Sequence, residues 1–236
     1  QTADMLGYDR ERIIGVTMPG FGTSDRTYQN ALQMMDYLGI THREIDICDI
    51  TTQHLNSIAH DLDNHDITYE NAQARMRTLI LMNLANELNG LVVGTGDLSE
   101  LALGWATYCG DQMSMYGVNA GIPKTLVKYM VRYAAENLYA DELRQILLDV
   151  VETPVSPELL PTDDEGEIAQ KTEDKVGPYE LHDFFIYYFL RYGFTREKIR
   201  YMAIQAFEDN YTEEQIDKWL AVVMLRICTE QFKGTC

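Results

Sequence analysis

LVVGTGDLSELALGWATYCGDQMSMYGVNAGIPK, Leu91 to Lys124, puts most of the chain's candidate polar chemistry directly after one apolar run. Gly90 to Val93 reads as a buried strand and Gly94-Thr95-Gly96 as a turn. The stretch bearing Leu101, Leu103, Gly104 and Trp105 reads as a helix. Strand, polar turn and helix in that order set Asp97, Ser99 and Glu100 at the carboxyl end of a strand, where open α/β sheets bind ligands.

Working back towards the amino terminus, Arg12 to Met18 is a β-branched run ending at Pro19-Gly20, a strand and a turn. Ser24 or Asp25 then caps a helix in which Tyr28, Leu32, Met35 and Leu38 recur at helical spacing, and Gly39 ends it. A second strand is expected over His42 to Ile47, a short helix over Thr51 to Leu62, and a longer helix from Thr68 to about Leu88. Strands alternating with helices predict a parallel, doubly wound α/β sheet. After Lys124 the pattern turns helical: Thr125 to Tyr139, Asp141 to Val151, Tyr179 to Tyr192, Arg196 to Phe207 and Thr212 to Phe232. Glu152 to Gly177, with three prolines and the acidic run Asp163, Asp164, Glu165, reads as a long loop.

A chain of 236 residues suits one large domain, or one domain with an appended helical part. Nineteen Lys and Arg against 37 Asp and Glu give a formal net charge of -18, which argues against a phosphate-tracking surface and hence against nucleic acid as partner. No apolar run reaches the roughly 20 residues a membrane helix needs, so no membrane partner is expected. Cys48, Cys109, Cys228 and Cys236 form no C-x-x-C pair, and the simplest setting for them is a reducing cytoplasm. His42, His54, His60, His65 and His182 show no metal spacing. Gln1 begins in what reads as the end of a helix with no initiator Met, so the chain reads as a fragment.

Each candidate residue admits two readings. Gly94 to Glu100 can approach a phosphate and hold magnesium through a carboxylate, or Asp97 or Ser99 can simply cap a helix. Lys124 follows Ile122-Pro123 at a helix start, where the macrodipole disfavours a cation; an anionic partner accounts for it, and so does plain solvent exposure. Asp111, in CGDQ, is a general base or a turn cap. Trp105 stacks on a flat ring or fills core. Arg75 and Arg77 grip a phosphate or carboxylate, or make surface ion pairs.

The string GTGDLSELALGWATYCGDQMSMYGVNAGIPKTL resembles the synthetase domain of glutamine-dependent NAD+ synthetases. So do ENAQARMR from Glu70, PVSPELLP from Pro154, QKTEDKVGPYELHDFFIYYFLRYGF from Gln170, and QFK ending at Lys233. The resemblance implies a Rossmann-like parallel sheet of the ATP pyrophosphatase (PP-loop) type with an α-helical C-terminal part, occupying residues 1–236. It implies ATP-dependent adenylation of nicotinic acid adenine dinucleotide (deamido-NAD), followed by attack of ammonia to give NAD+. Thr95, Lys124 and Ser156 would meet ATP, and Glu100 would ligate magnesium (Mg2+). Asp111 would hold or deprotonate ammonia, with Asp111 and Lys124 the catalytic pair. Trp105, Asn71, Arg75 and Lys233 would bind deamido-NAD.

The resemblance further implies an SGG-x-DS pyrophosphate loop and a glutaminase domain preceding Gln1, so this chain would be the larger part of a synthetase domain, inactive by itself and paired as a homodimer or higher homo-oligomer. Rival expectations are another amidotransferase of the same fold, such as a GMP-synthetase-like or asparagine-synthetase-like enzyme, and a non-catalytic nucleotide-binding module.

Overall fold

The structure is a computed structural model, and it describes residues 1–153, 159–160 and 172–234. In chain order the elements are α1 (Thr2–Met5), β1 (Ile14–Thr17), α2 (Asp25–Leu38), β2 (Thr41–Glu44), α3 (Cys48–Ser57), α4 (Ile67–Glu87), β3 (Val93–Gly94), α5 (Leu98–Leu103), β4 (Tyr116–Gly117), α6 (Lys124–Asn137), α7 (Asp141–Glu152), α8 (Thr172–Val176), α9 (Tyr179–Ile186), α10 (Arg196–Ala206) and α11 (Glu213–Thr229). No described helix is long and apolar enough to cross a membrane. The chain divides into two compact units, residues 1–87 with 128–171, and residues 88–127 with 172–236.

In the first unit β1 and β2 pair in parallel, Ile14 opposite Thr41 through Thr17 opposite Glu44. The connection is α2, as the alternation of elements predicts. Ser24 caps it by accepting from the Thr27 amide, and Gly39 closes it in the left-handed conformation at φ 65°. A Cβ on Gly15 would lie 2.3 Å from Met35 Sδ, so the strand needs glycine there to pack on this helix. Arg26 and Asn30 of α2 both reach Asp149 of α7, at 2.8 and 2.6 Å. A small core of Leu55, Tyr69 and Ala72, with Phe21 and Leu62 against it, joins α3 to α4. Buried Gln73 is fully used, accepting from the Phe21 amide at 3.1 Å and donating to the Leu159 carbonyl at 2.7 Å.

The second unit is built on α9, whose Leu181, Phe185 and Ile186 are buried with Ile199 of α10 and Ile216, Leu220 and Val223 of α11. After Ile186 the helix continues as one π-helical turn, Tyr187–Arg191. Its strands, β3 and β4, pair in parallel.

Several expectations are corrected. The α/β class with parallel strands holds, but the third expected strand does not extend the first pair. It is cut to Val93–Gly94 and pairs with β4, a strand too short to read from its sequence. Nor are its apolar side chains buried, since Leu91 and Val93 are 61% and 56% exposed. The expected His42–Ile47 strand begins and ends earlier, because Asp46 accepts from the Cys48 amide and starts α3 there rather than at Thr51. A helical turn, α8, occupies the end of the expected loop.

Candidate functional site

The polar stretch after β3 is organised by α5, a helix of 6 residues whose two ends are both fixed by side chains. At its start Asp97 Oδ1 accepts from the Glu100 amide at 2.9 Å, while Glu100 Oε2 accepts from the Asp97 amide at 3.2 Å, a reciprocal capping box. At its end Gly104, at φ 56°, closes a Schellman turn: its amide donates to Leu101 and that of Trp105 to Glu100. The remaining carbonyls are taken by long side chains, with Arg226 Nε donating to Leu103 at 2.8 Å and Gln231 Nε2 to Ala102 at 2.9 Å. So short a helix is marginal alone; these bonds hold Glu100 in place.

Lys124, first residue of α6, reaches across to that helix. Its Nζ lies 2.8 Å from Asp97 Oδ2 and 2.6 Å from Glu100 Oε1. Exposure of the three side chains is only 16%, 4% and 26% respectively, so water screens the triad weakly. Burial, with the charge of Asp97 adding to it, pushes the Glu100 carboxyl above the ordinary range although Lys124 opposes this. Burial disfavours the Lys124 ammonium too, but Glu100 and Asp97 outweigh it and hold the amine above the usual lysine value. The Tyr179 ring stands beside the ammonium, 5.5 Å from Nζ to its centroid. Burial, reinforced by Glu100 and Asp97, raises the Tyr179 phenol far above its usual range, and its hydroxyl has no hydrogen-bond partner among the described residues.

Glu100 opens on a cavity of about 150 Å³. Gly94, Gly96 and Gly117 leave its wall open, and Gln112, Ser114 and Lys233 supply polar atoms. A Cβ on Gly94 would meet Ser114 Oγ at 2.3 Å, so glycine is required for that approach. The donor set does not form a resident metal cage: among the described residues no group of three His, Cys, Asp or Glu could hold a metal ion. It does fit a magnesium that arrives with a nucleotide, since Mg2+ commonly takes one or two protein carboxylates and fills its shell with phosphate oxygens and water.

The sequence candidates are distributed as follows. Thr95 is exposed in the loop between β3 and α5, and Glu100 and Lys124 are brought together as an ion pair. Trp105 is half-buried with the Arg226 guanidinium 5.3 Å over its ring, so it is neither core filling nor an open stacking face on that side. Asp111 is exposed in a turn, next to the Gln112 that lines the cavity. Lys233 lines the same cavity and pairs with Glu230 at 2.9 Å. Asn71 and Arg75 lie one turn apart on α4 in the first unit. Ser156 lies outside the described residues. Of the two readings of the polar turn, the structure shows the capping one, with Asp97 at the start of α5.

Sequence reasoning missed Asp183. Its Oδ2 accepts from the Thr125 amide at 2.8 Å and the Thr125 hydroxyl at 2.6 Å, and its other oxygen accepts from the Ser99 hydroxyl. The signal available was a carboxylate inside an apolar helical run, YELHDFFI.

A sequence model of the family described as NAD synthase matches residues 2–219. The chain belongs to the NAD synthase family. It is 42% identical to a glutamine-dependent NAD(+) synthetase of Mycobacterium leprae across 98% of this chain and 37% of that relative, so it spans little more than a third of the length of such curated relatives. In structure it is similar to a glutamine-dependent NAD(+) synthetase from Cytophaga hutchinsonii, with a TM-score of 0.69, 21% identity, and coverage of 92% of this chain and 34% of that one. It is similar also to an NMN synthetase from Francisella tularensis, with a TM-score of 0.63, 21% identity, and coverage of 91% and 75%. These two likenesses bear on the fold alone, an α/β architecture.

Proposed function

We propose that this chain is the ammonia-ligating part of a glutamine-dependent NAD+ synthetase. The carboxylate of deamido-NAD attacks the α-phosphate of ATP, pyrophosphate leaves, and ammonia then adds to the acyl carbon and expels AMP. The observation that carries the reading is the half-buried Lys124 ammonium held between Asp97 and Glu100, with Glu100 lining a cavity walled by glycines, in a member of the NAD synthase family.

Lys124, kept protonated by its two carboxylates, supplies positive charge for the phosphates as pyrophosphate departs. Thr95 and Ser156 add hydroxyl donors to ATP. Glu100 would hold magnesium, which when bound neutralises phosphate charge. Asp111 binds ammonium and accepts the proton it must lose before attack. Trp105, Asn71, Arg75 and Lys233 bind deamido-NAD. Ammonia comes from a glutaminase domain of the same polypeptide, and the protein acts as a homo-oligomer in a reducing, cytoplasmic setting.

The reading is tested by Glu100→Gln in the full natural polypeptide. Loss of magnesium- and ATP-dependent conversion of deamido-NAD is expected; near wild-type turnover would overturn the metal role. Substrate-dependent pyrophosphate release separates this reading from a GMP-synthetase-like enzyme.

A further inference from the structure

We propose that Asp183 is a positioning residue for Lys124, fixing through Ser99 and Thr125 the spacing between the Lys124 ammonium and the Glu100 carboxylate. The proposal rests on the reading that Lys124 meets the triphosphate of ATP.

Asp183 comes from α9, 84 residues from Ser99 and 58 from Thr125 in sequence, and it is buried. Its two oxygens accept three hydrogen bonds: one from Ser99 Oγ and two from Thr125, through the amide and the hydroxyl. The Ser99 hydroxyl has a second bond, accepting from the Lys124 amide at 2.9 Å. Proton positions here follow from chemistry. The amide can only donate and the ionised carboxylate can only accept, so the single Ser99 proton points at Asp183 and an oxygen lone pair points at Lys124.

Ser99 precedes Glu100 and Thr125 follows Lys124. One carboxylate therefore grips the chain neighbour of each member of the ion pair. The first two amides of α6 would otherwise be orphan donors; Ser99 and Asp183 take both. A negative group there also offsets the unfavourable placement of a lysine at a helix amino terminus. A mere cap needs one acceptor on one helix, whereas Asp183 bonds both the helix that carries Lys124 and the helix that carries Glu100. Burial opposes ionisation of Asp183, and the donors from Ser99 and Thr125 oppose that rise.

The test is a double-mutant cycle in the full natural polypeptide, using Asp183→Asn, which keeps the shape, and Lys124→Met. Kinetics are read by pyrophosphate release. Asp183→Asn should lower kcat/KM for ATP about tenfold, with KM for deamido-NAD moved by less than about twofold. In the Lys124→Met background the same change should alter the remaining kcat/KM for ATP by less than about twofold.

A wild-type kcat/KM for ATP in Asp183→Asn overturns the proposal, as does an equal loss in both backgrounds, which would mark a role independent of Lys124. Where Asp183→Asn does not accumulate, Ser99→Ala cuts the branch to the Lys124 amide and carries the same expectations. If Lys124→Met alone keeps wild-type kcat/KM for ATP, the underlying reading of Lys124 fails. Hydrogen exchange of the ATP-free protein then decides for the clamp: exchange at the Lys124 and Thr125 amides about tenfold faster in Asp183→Asn supports it, and unchanged exchange overturns it.

Discussion

Lys124 Nζ sits 2.6 Å from Glu100 Oε1, and the same ammonium also satisfies Asp97 at 2.8 Å. Asp97 is buried and Glu100 partly so, and the lysine that would meet a phosphate is, without one, the counter-ion of two acids. Removing it should cost stability as well as activity. Lys124→Met leaves two clustered negative charges and should destabilise the protein by about 3 kcal/mol in urea unfolding. Adding Glu100→Gln should recover part of that loss; strict additivity of the two changes would contradict the coupling.

His182 is completely buried, with Nε2 against the Val176 carbonyl and ring neighbours Tyr179 and Trp219 at 6.0 and 6.3 Å. Burial pushes its pKa down to about 4, with the nearby Arg226 charge acting the same way. Between the ordinary value near 6.5 and about 4 the unfolded chain binds a proton that the native chain refuses. The contribution is therefore present above pH 6.5 and lost as pH falls through that window, roughly 3 kcal/mol in all. Unfolding of His182→Phe followed from pH 7 to pH 5 should show a flatter pH dependence than the parent. Equal slopes would mean that His182 is not held neutral.

Gly104 and Gly39 both close helices at positive φ, 56° and 65°, yet they differ in surroundings. A Cβ on Gly104 would lie 2.4 Å from Glu230 Cβ and 2.7 Å from the Glu230 carbonyl oxygen, whereas one on Gly39 meets nothing within 4 Å. Gly39→Ala should therefore cost about 1 kcal/mol of backbone strain alone. Gly104→Ala should cost at least about 2 kcal/mol and disturb the helix presenting Glu100. Thermal unfolding of the pair gives the comparison, and equal losses would show that the Glu230 backbone yields freely.

Asp111→Asn separates the two half-reactions. An amide cannot take the proton that ammonium must lose, so ATP–pyrophosphate exchange driven by deamido-NAD should persist while NAD+ formation fails. Loss of both together would count against an ammonia role.

Much of the fold was legible because its signals are local. Ser24 and Gly39 bracket α2 in the sequence as they do in the structure. The shape of the polar stretch was legible too, and so was the oddity of a cation at Lys124. What resolves that oddity was not legible: Asp97 and Glu100 are 27 and 24 residues upstream, and Asp183 is 59 residues downstream. Such contacts depend on how α5, α6 and α9 pack, which no spacing rule encodes. The β3–β4 pair was missed for a related reason. Two residues per strand carry no period that a sequence pattern could show.

Pyrophosphate release by the full natural polypeptide, with ATP, magnesium and a panel of carboxylates, tests the central claim most directly. The panel is deamido-NAD, nicotinic acid mononucleotide, xanthosine monophosphate and aspartate. The account predicts release with deamido-NAD, coupled to NAD+ formation when ammonia or glutamine is present, and little with the other three. Release driven by another member of the panel, with deamido-NAD inert, would contradict it.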